Sequence, residues 1–241
     1  MPWRWTPRAA RFLARYPRRS TTFWDEPLAS VTDLEQAYAS AGHVLPPAIR
    51  DFQQELCGVT YPTAGEDGDW FTWGIAKDDA ALFGDLESGE ELLEICGQYQ
   101  TAVPSRYRIQ ADGRIEDTGC VVADHALVLV ERLAYDDDRW AAIRAGTRDT
   151  YTFRVERVPL TEPAVHAAFL AVVAEWGGEP VPETHDSLGG YWEIHGGYLC
   201  AQSETCSKDE GGWRYTFTVQ SQALADHMAA RLRAVSPLPA L

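Results

Sequence analysis

DLEQAYASAGHVLPPAIRDFQQELCGVTYP, residues 33–62, decides the fold class. Leu34, Ala37, Tyr38 and Ala41 recur at helical spacing, and Gly42 ends the pattern. Thr32 with Glu35 three residues on reads as a capping box, in which side chain and backbone satisfy each other's free groups. Pro46 and Pro47 suit a first helical turn, where no amide hydrogen is lost. Ile49, Phe52 and Leu56 then carry a second apolar face, and Cys57-Gly58 leads into a short strand. Two helices followed by a strand point to an α+β fold.

Further along, residues 63–69 form an acidic, turn-rich loop, and Trp70–Ile75 reads as a strand. A helix is expected over 89–100 from Leu92, Leu93, Cys96 and Tyr99, then a hairpin over 107–116 around Asp112-Gly113. Val121-Val122 and residues 126–133 read as strands, and Asp136-Asp137-Asp138 as negative charge at a helix N-terminus. The last ninety residues follow the order βαβββα: a strand over 151–158, a helix from Thr161, a hairpin at Gly196-Gly197, a strand over 213–219 and a helix capped by Ser221. The expected organisation is a basic arm over 1–24, an α+β unit over 25–148 and a second α+β unit over 149–241, all packed as one body.

Hydrophobic content of 45%, with nine Trp, ten Tyr and eight Phe, calls for a folded core rather than a disordered binder. Apolar runs fall short of the roughly 18 residues that cross a bilayer. Five scattered cysteines (57, 96, 120, 200 and 206) without a CxxC pair point to reduced, buried thiols in the cytoplasm. The net charge of −15 is concentrated, since residues 25–100 carry sixteen acids against Arg50 and Lys77. Such a field repels nucleic acid and anionic membranes and draws in basic proteins. Residues 1–24 are the opposite, with six Arg and no acid. Arg8, Arg11 and Arg15 share one helical stripe, while Ala9, Phe12, Leu13 and Tyr16 form an apolar one that packs on the body.

The order of helix, Leu45-Pro46-Pro47 link, second helix, Cys57-Gly58 and short strand resembles the opening of the SUKH superfamily, over residues 31–75. Bacterial members of that family are mostly immunity proteins that neutralise a cognate toxin. The resemblance implies helices packed on a mostly antiparallel sheet, and a non-enzymatic partner-binding role without cofactor.

HExxH, GxSxG, Walker and GxGxxG patterns are missing from the sequence. His185-Asp186-Ser187 has the letters of a triad, but neighbours on one turn do not converge as nucleophile, base and orienter. His195 and Cys200 bracket a tight turn, and an enzyme using that couple is the alternative reading; a packed thiol beside a bonded imidazole is the plainer one. Zinc at His195, Cys200 and Cys206 lacks a fourth ligand at sensible spacing, so no metal is expected. The surface that fits a protein partner with a basic cleft combines Glu66, Asp67, Asp69, Asp78 and Asp79 with Trp70 and Trp73 as apolar anchors. The plain counterparts are a solvated loop and a Trp turned into the core, since strand side chains alternate. A scaffold that binds without inhibiting is the third reading.

Overall fold

The computed structural model describes residues 3–22, 25–62, 70–77, 93–99, 106–117, 120–144, 151–159, 163–194, 197–206, 212–219 and 221–235. The fold is α+β, with antiparallel strand pairs throughout the described registers. The chain divides into two compact units. The first comprises Met1–Thr118 with Ala123–Val130, and the second Gly119–Val122 with Glu131–Leu241.

In the first unit, α1 (Pro7–Arg15) starts with proline in its first turn, and the Thr6 hydroxyl accepts the Ala9 amide at 3.2 Å. Its apolar stripe buries Ala9 and Phe12, as the spacing requires. The Arg18 guanidinium then donates to the carbonyls of Glu55 and Cys57, at 2.6 and 3.0 Å. Those carbonyls lie at the C-terminal end of α3 (Pro47–Leu56), where exposed C=O groups and the helix dipole favour a cation. The basic arm is thus stitched to the body by backbone capture.

α2 (Val31–Ser40) is capped two residues earlier than Thr32. Ser30 and Asp33 form the capping box: the Asp33 amide donates to the Ser30 hydroxyl, and the Asp33 carboxylate accepts the Ser30 amide. Those bonds from the Ser30 amide and hydroxyl, joined by Lys77, hold the Asp33 carboxyl down at about 2. Gly58, which follows α3, has φ +81, and a Cβ there would come within 2.2 Å of the Arg19 carbonyl oxygen. Only glycine lets the arm pass that closely.

β1 (Thr60–Pro62), β2 (Trp70–Trp73), β3 (Leu93–Tyr99), β4 (Arg106–Gln110) and β5 (Ile115–Asp117) pair in sequence order as a meander. Residues 93–99 are therefore strand, not the helix expected over 89–100. Leu93, Ile95 and Tyr99 also satisfy a period of two, and Gly97 disfavours a helix, so pairing on both sides decides the outcome. Behind the sheet runs an aromatic core: Phe71 meets Trp73 at 4.6 Å and Tyr107 at 5.3 Å, while Phe52 meets Trp73 at 5.9 Å. Burying each such ring is worth roughly 2–3 kcal/mol.

α4 (Ala126–Arg144) replaces the strand expected over 126–133. Ala126, Leu129, Val130 and Ala134 are all buried, a helical spacing that the β-prone letters conceal. In the second unit the sheet order is β6 (Cys120–Ala123), β10 (Gly197–Cys206), β11 (Gly212–Val219), β7 (Tyr151–Pro159). β9 (Gly189–Ile194) also pairs with β10 and carries the two-residue β8 (Glu179–Pro180). Two clusters lie against this sheet. Phe169, Val172 and Val173 of α5 (Pro163–Glu175) and Met228 of α6 (Gln222–Val235) pack on Ile194, Ala201, Tyr215 and Val219. Tyr135 of α4 packs with Tyr191, Tyr198, Cys200 and Val181 in the other. Strand side chains alternate faces, so one sheet serves helices with both sets.

Cys120 is disulfide-bonded, and the residue facing it in the β6–β10 ladder is Cys206. This corrects the expectation of five reduced thiols and removes the thiol argument for a cytoplasmic location; Cys57 and Cys200 are not in disulfides. Among the described residues no helix is long and apolar enough to cross a membrane.

Candidate functional site

Of the residues nominated for partner binding, Glu66, Asp67, Asp69, Asp78 and Asp79 lie outside the described residues. Trp70 and Trp73, three apart on β2, face opposite ways. Trp73 is fully buried in the aromatic core, so it is a packing residue and not an anchor for a partner. The Trp70 ring is half-buried, with the Arg19 guanidinium 5.9 Å from its centroid, and it keeps a face at the surface.

Around α2 and α3 the described surface is acidic with one apolar point. Glu35 is exposed, and Asp51 and Glu55 are partly exposed. The link between the helices holds Val44, whose 84% exposure is the highest of the large hydrophobics among the described residues. Arg50 and Lys77 are paired to Glu35 and Asp33, at 3.2 and 3.0 Å.

The triad letters do not converge. One imidazole nitrogen of His185 bonds the Tyr191 carbonyl at 2.8 Å, and Asp186 is held by Arg132 at 2.7 Å. Cys200 is buried, and its neighbours across the sheet are Tyr191 and Thr216; His195 lies outside the described residues. Among the described residues no three His, Cys, Asp or Glu side chains gather as metal ligands.

A second cluster escaped the sequence reading. Asp136–Asp138 lie inside α4 rather than at its N-terminus, because the helix already began at Ala126. The Asp136 carboxylate accepts the Tyr191 hydroxyl at 2.8 Å. Enclosure pushes that carboxyl up to about 6, against the opposing pull of Tyr191, Arg139 and Arg132. Burial first, then the Asp136 charge, drives the Tyr191 phenol well above its ordinary range, so it stays a donor. Arg139 lies with its guanidinium carbon 3.2 Å from the Tyr198 ring centroid and donates to the Tyr135 hydroxyl at 3.1 Å. One turn before Asp136, Arg132 donates to the carbonyls of Thr184, Val122 and Gly189 and to Asp186. The helical spacing of Arg132, Asp136 and Arg139 was the available signal. The β-prone letters of residues 126–133 hide it.

Comparison of the chain with protein-family models, with curated proteins and with solved structures finds no match.

Proposed function

We propose that this chain is an immunity-type protein of the SUKH kind. It binds a cognate bacterial toxin and covers the toxin's basic cleft with the acidic surface of residues 25–100, without a cofactor and without catalysis of its own. The supporting observation is that both cations of that acid-rich segment, Arg50 and Lys77, are paired to α2 carboxylates, beside an apolar point at Val44. The surface therefore offers a basic partner little repulsion and one desolvated contact. The helix–helix–strand order of α2, α3 and β1 also agrees with the SUKH opening. Toxins acting on nucleic acid or nucleotides need basic clefts and meet those substrates in the cytoplasm, the compartment proposed for the action.

The experiment is capture of a partner from the native host by the full chain, next to a variant with Glu66, Asp67 and Asp69 changed to Lys. Capture of a basic protein by the wild type alone, weakening as salt rises, is the expected result. Equal capture by both chains ends the electrostatic reading.

A second reading, an enzyme, has one observation behind it: the raised Asp136 carboxyl beside Tyr191 and the buried Cys200 thiol. Cys200→Ala and His195→Ala variants that stay folded and protect cells support binding; loss of protection in either favours the enzyme reading or an interface at that hairpin.

A further inference from the structure

α4 is capped by a side chain that titrates. His125 stands immediately before Ala126, and its Nδ1 lies 3.0 Å from the Leu127 amide nitrogen. A backbone amide only donates, so Nδ1 is the acceptor and the proton of the neutral ring sits on Nε2. Ser, Thr, Asp and Asn usually fill this position, and none of them changes protonation between pH 5 and 8, whereas histidine does.

Two neighbours border the ring. Trp3 of the arm meets it edge to face at 5.0 Å. Gly113, in the β4–β5 turn at φ +98, leaves room that a Cβ would take, at 3.4 Å from the imidazole Cδ2. The same Cβ would stand 3.2 Å from Ala48 of α3, so the gap is shared with that helix. Several charged groups lie near it. Asp51 of α3 favours the imidazolium, while burial outweighs it and holds the ring below its usual 6.5. Asp112 and Arg114, on either side of Gly113, are bonded to each other at 2.7 Å. Asp124, adjacent in the chain, has interactions of its own.

We propose that His125 is a proton-operated cap: taking up a proton at Nδ1 removes the acceptor, sets N–H against N–H at the positive end of α4, and releases the helix's first turn. The helix dipole adds to the penalty, because a cation is disfavoured at an N-terminus. The device does not depend on the toxin-binding reading. Its direction follows from the depressed imidazole. As pH falls below about 6.5 the unfolded ring takes up protons before the folded one, so the cap's contribution is present at neutral pH and is lost in mild acid.

The test is a pH titration of the full chain by NMR from pH 8 to 5. Expected are a His125 midpoint below 6.5, a bare-nitrogen signature at Nδ1 on the neutral limb, and a Leu127 amide shift with the same midpoint. Amide exchange over residues 126–129, corrected for intrinsic pH dependence, should rise about fivefold on acidification, matching the loss of one cap. His125→Asn keeps an acceptor that does not titrate and should stay protected throughout. A Leu127 amide that ignores the His125 titration, or an Asn variant that loses protection as the wild type does, overturns the proposal. Should the Asn variant fail to fold, the wild-type titration decides alone.

Discussion

The first unit buries its polar groups as neutral amides and hydroxyls, whereas the second buries charge. Among the described residues, Thr22, Gln53, Thr60, Thr72 and Gln110 are the buried polar ones of the first; Glu131 and Arg132 join Thr184 and Thr218 in the second. Neutral groups need only a hydrogen-bond partner, and the first unit pairs several of them: the Thr60 and Thr72 hydroxyls meet at 3.1 Å across β1–β2. Buried charge needs opposite charge and several hydrogen bonds, because desolvating an ion costs several kcal/mol. The interior of the second unit should therefore respond more strongly than that of the first to removal of a single group.

The sharpest way to break this contrast is Arg132→Met. It strands the Asp186 carboxylate, whose side chain is 5% exposed, and leaves the carbonyls of Thr184, Val122 and Gly189 without the guanidinium. We expect a loss of about 3–5 kcal/mol in urea unfolding. The double variant Arg132→Met, Asp186→Leu should recover much of it, since neither charge is then left alone. A single variant within about 0.5 kcal/mol of wild type would mean that the clamp holds position without stabilising the fold.

The matching residue of the first unit is Gln53, whose side-chain amide acts as a short strand. Its oxygen accepts the Ile75 amide at 3.0 Å, and its nitrogen donates to the Ala29 carbonyl at 2.5 Å. Gln53→Met keeps the volume and orphans both backbone groups, which should cost about 1–3 kcal/mol. Because no charge is involved, that loss should be the same at pH 7 and pH 5. A pH-dependent loss would contradict the assignment of a neutral interior.

What the sequence shows of this contrast depends on range. α2 and α3 are readable because their signals are local: the apolar spacing, Pro47 in the first turn and Gly58 after the last. Even there the cap is misplaced by two residues, since Ser30-Asp33 and Thr32-Glu35 carry equivalent letters. Over 126–133, ALVLVERL is β-prone, and the deciding facts are distant: Arg132 finds Asp186 fifty-four residues on. Trp73 and Trp70 have the same letter on one strand, and only the packing of Phe52, Phe71 and Tyr107 decides which turns inward. Asp136 was legible as an acid and not as a buried one, for the same reason.

Acid should separate the two units. The Asp136 carboxyl, at about 6 when folded and about 3.8 when unfolded, is ionised at pH 7 in a site that disfavours its charge. As pH falls from 7 to 5 the folded form takes the proton and the unfolded form does not. The second unit should therefore gain about 1 kcal/mol from this group, while the His125 cap weakens the first. Amide exchange of β9 and β10 against that of α4's first turn, at the two pH values, measures both at once. Asp136→Asn should remove the gain and leave the His125 effect in place. Parallel responses in the two units would break the comparison.

The smallest effect belongs to the first unit's surface. Glu35 and Arg50 join α2 to α3 at 3.2 Å, with side chains 46% and 40% exposed. Water screens such a pair and both long side chains lose freedom in forming it, so Glu35→Gln should cost at most about 0.5 kcal/mol and less at high salt. Its effect on binding should be separate and larger, because the change releases Arg50 into a surface proposed to meet a basic partner. Slower association with unchanged stability is the expected pattern, with the difference vanishing as salt rises. If Glu35→Gln destabilises the fold by more than about 1 kcal/mol, the pair is structural, and charge in the first unit contributes more than its neutral interior implies.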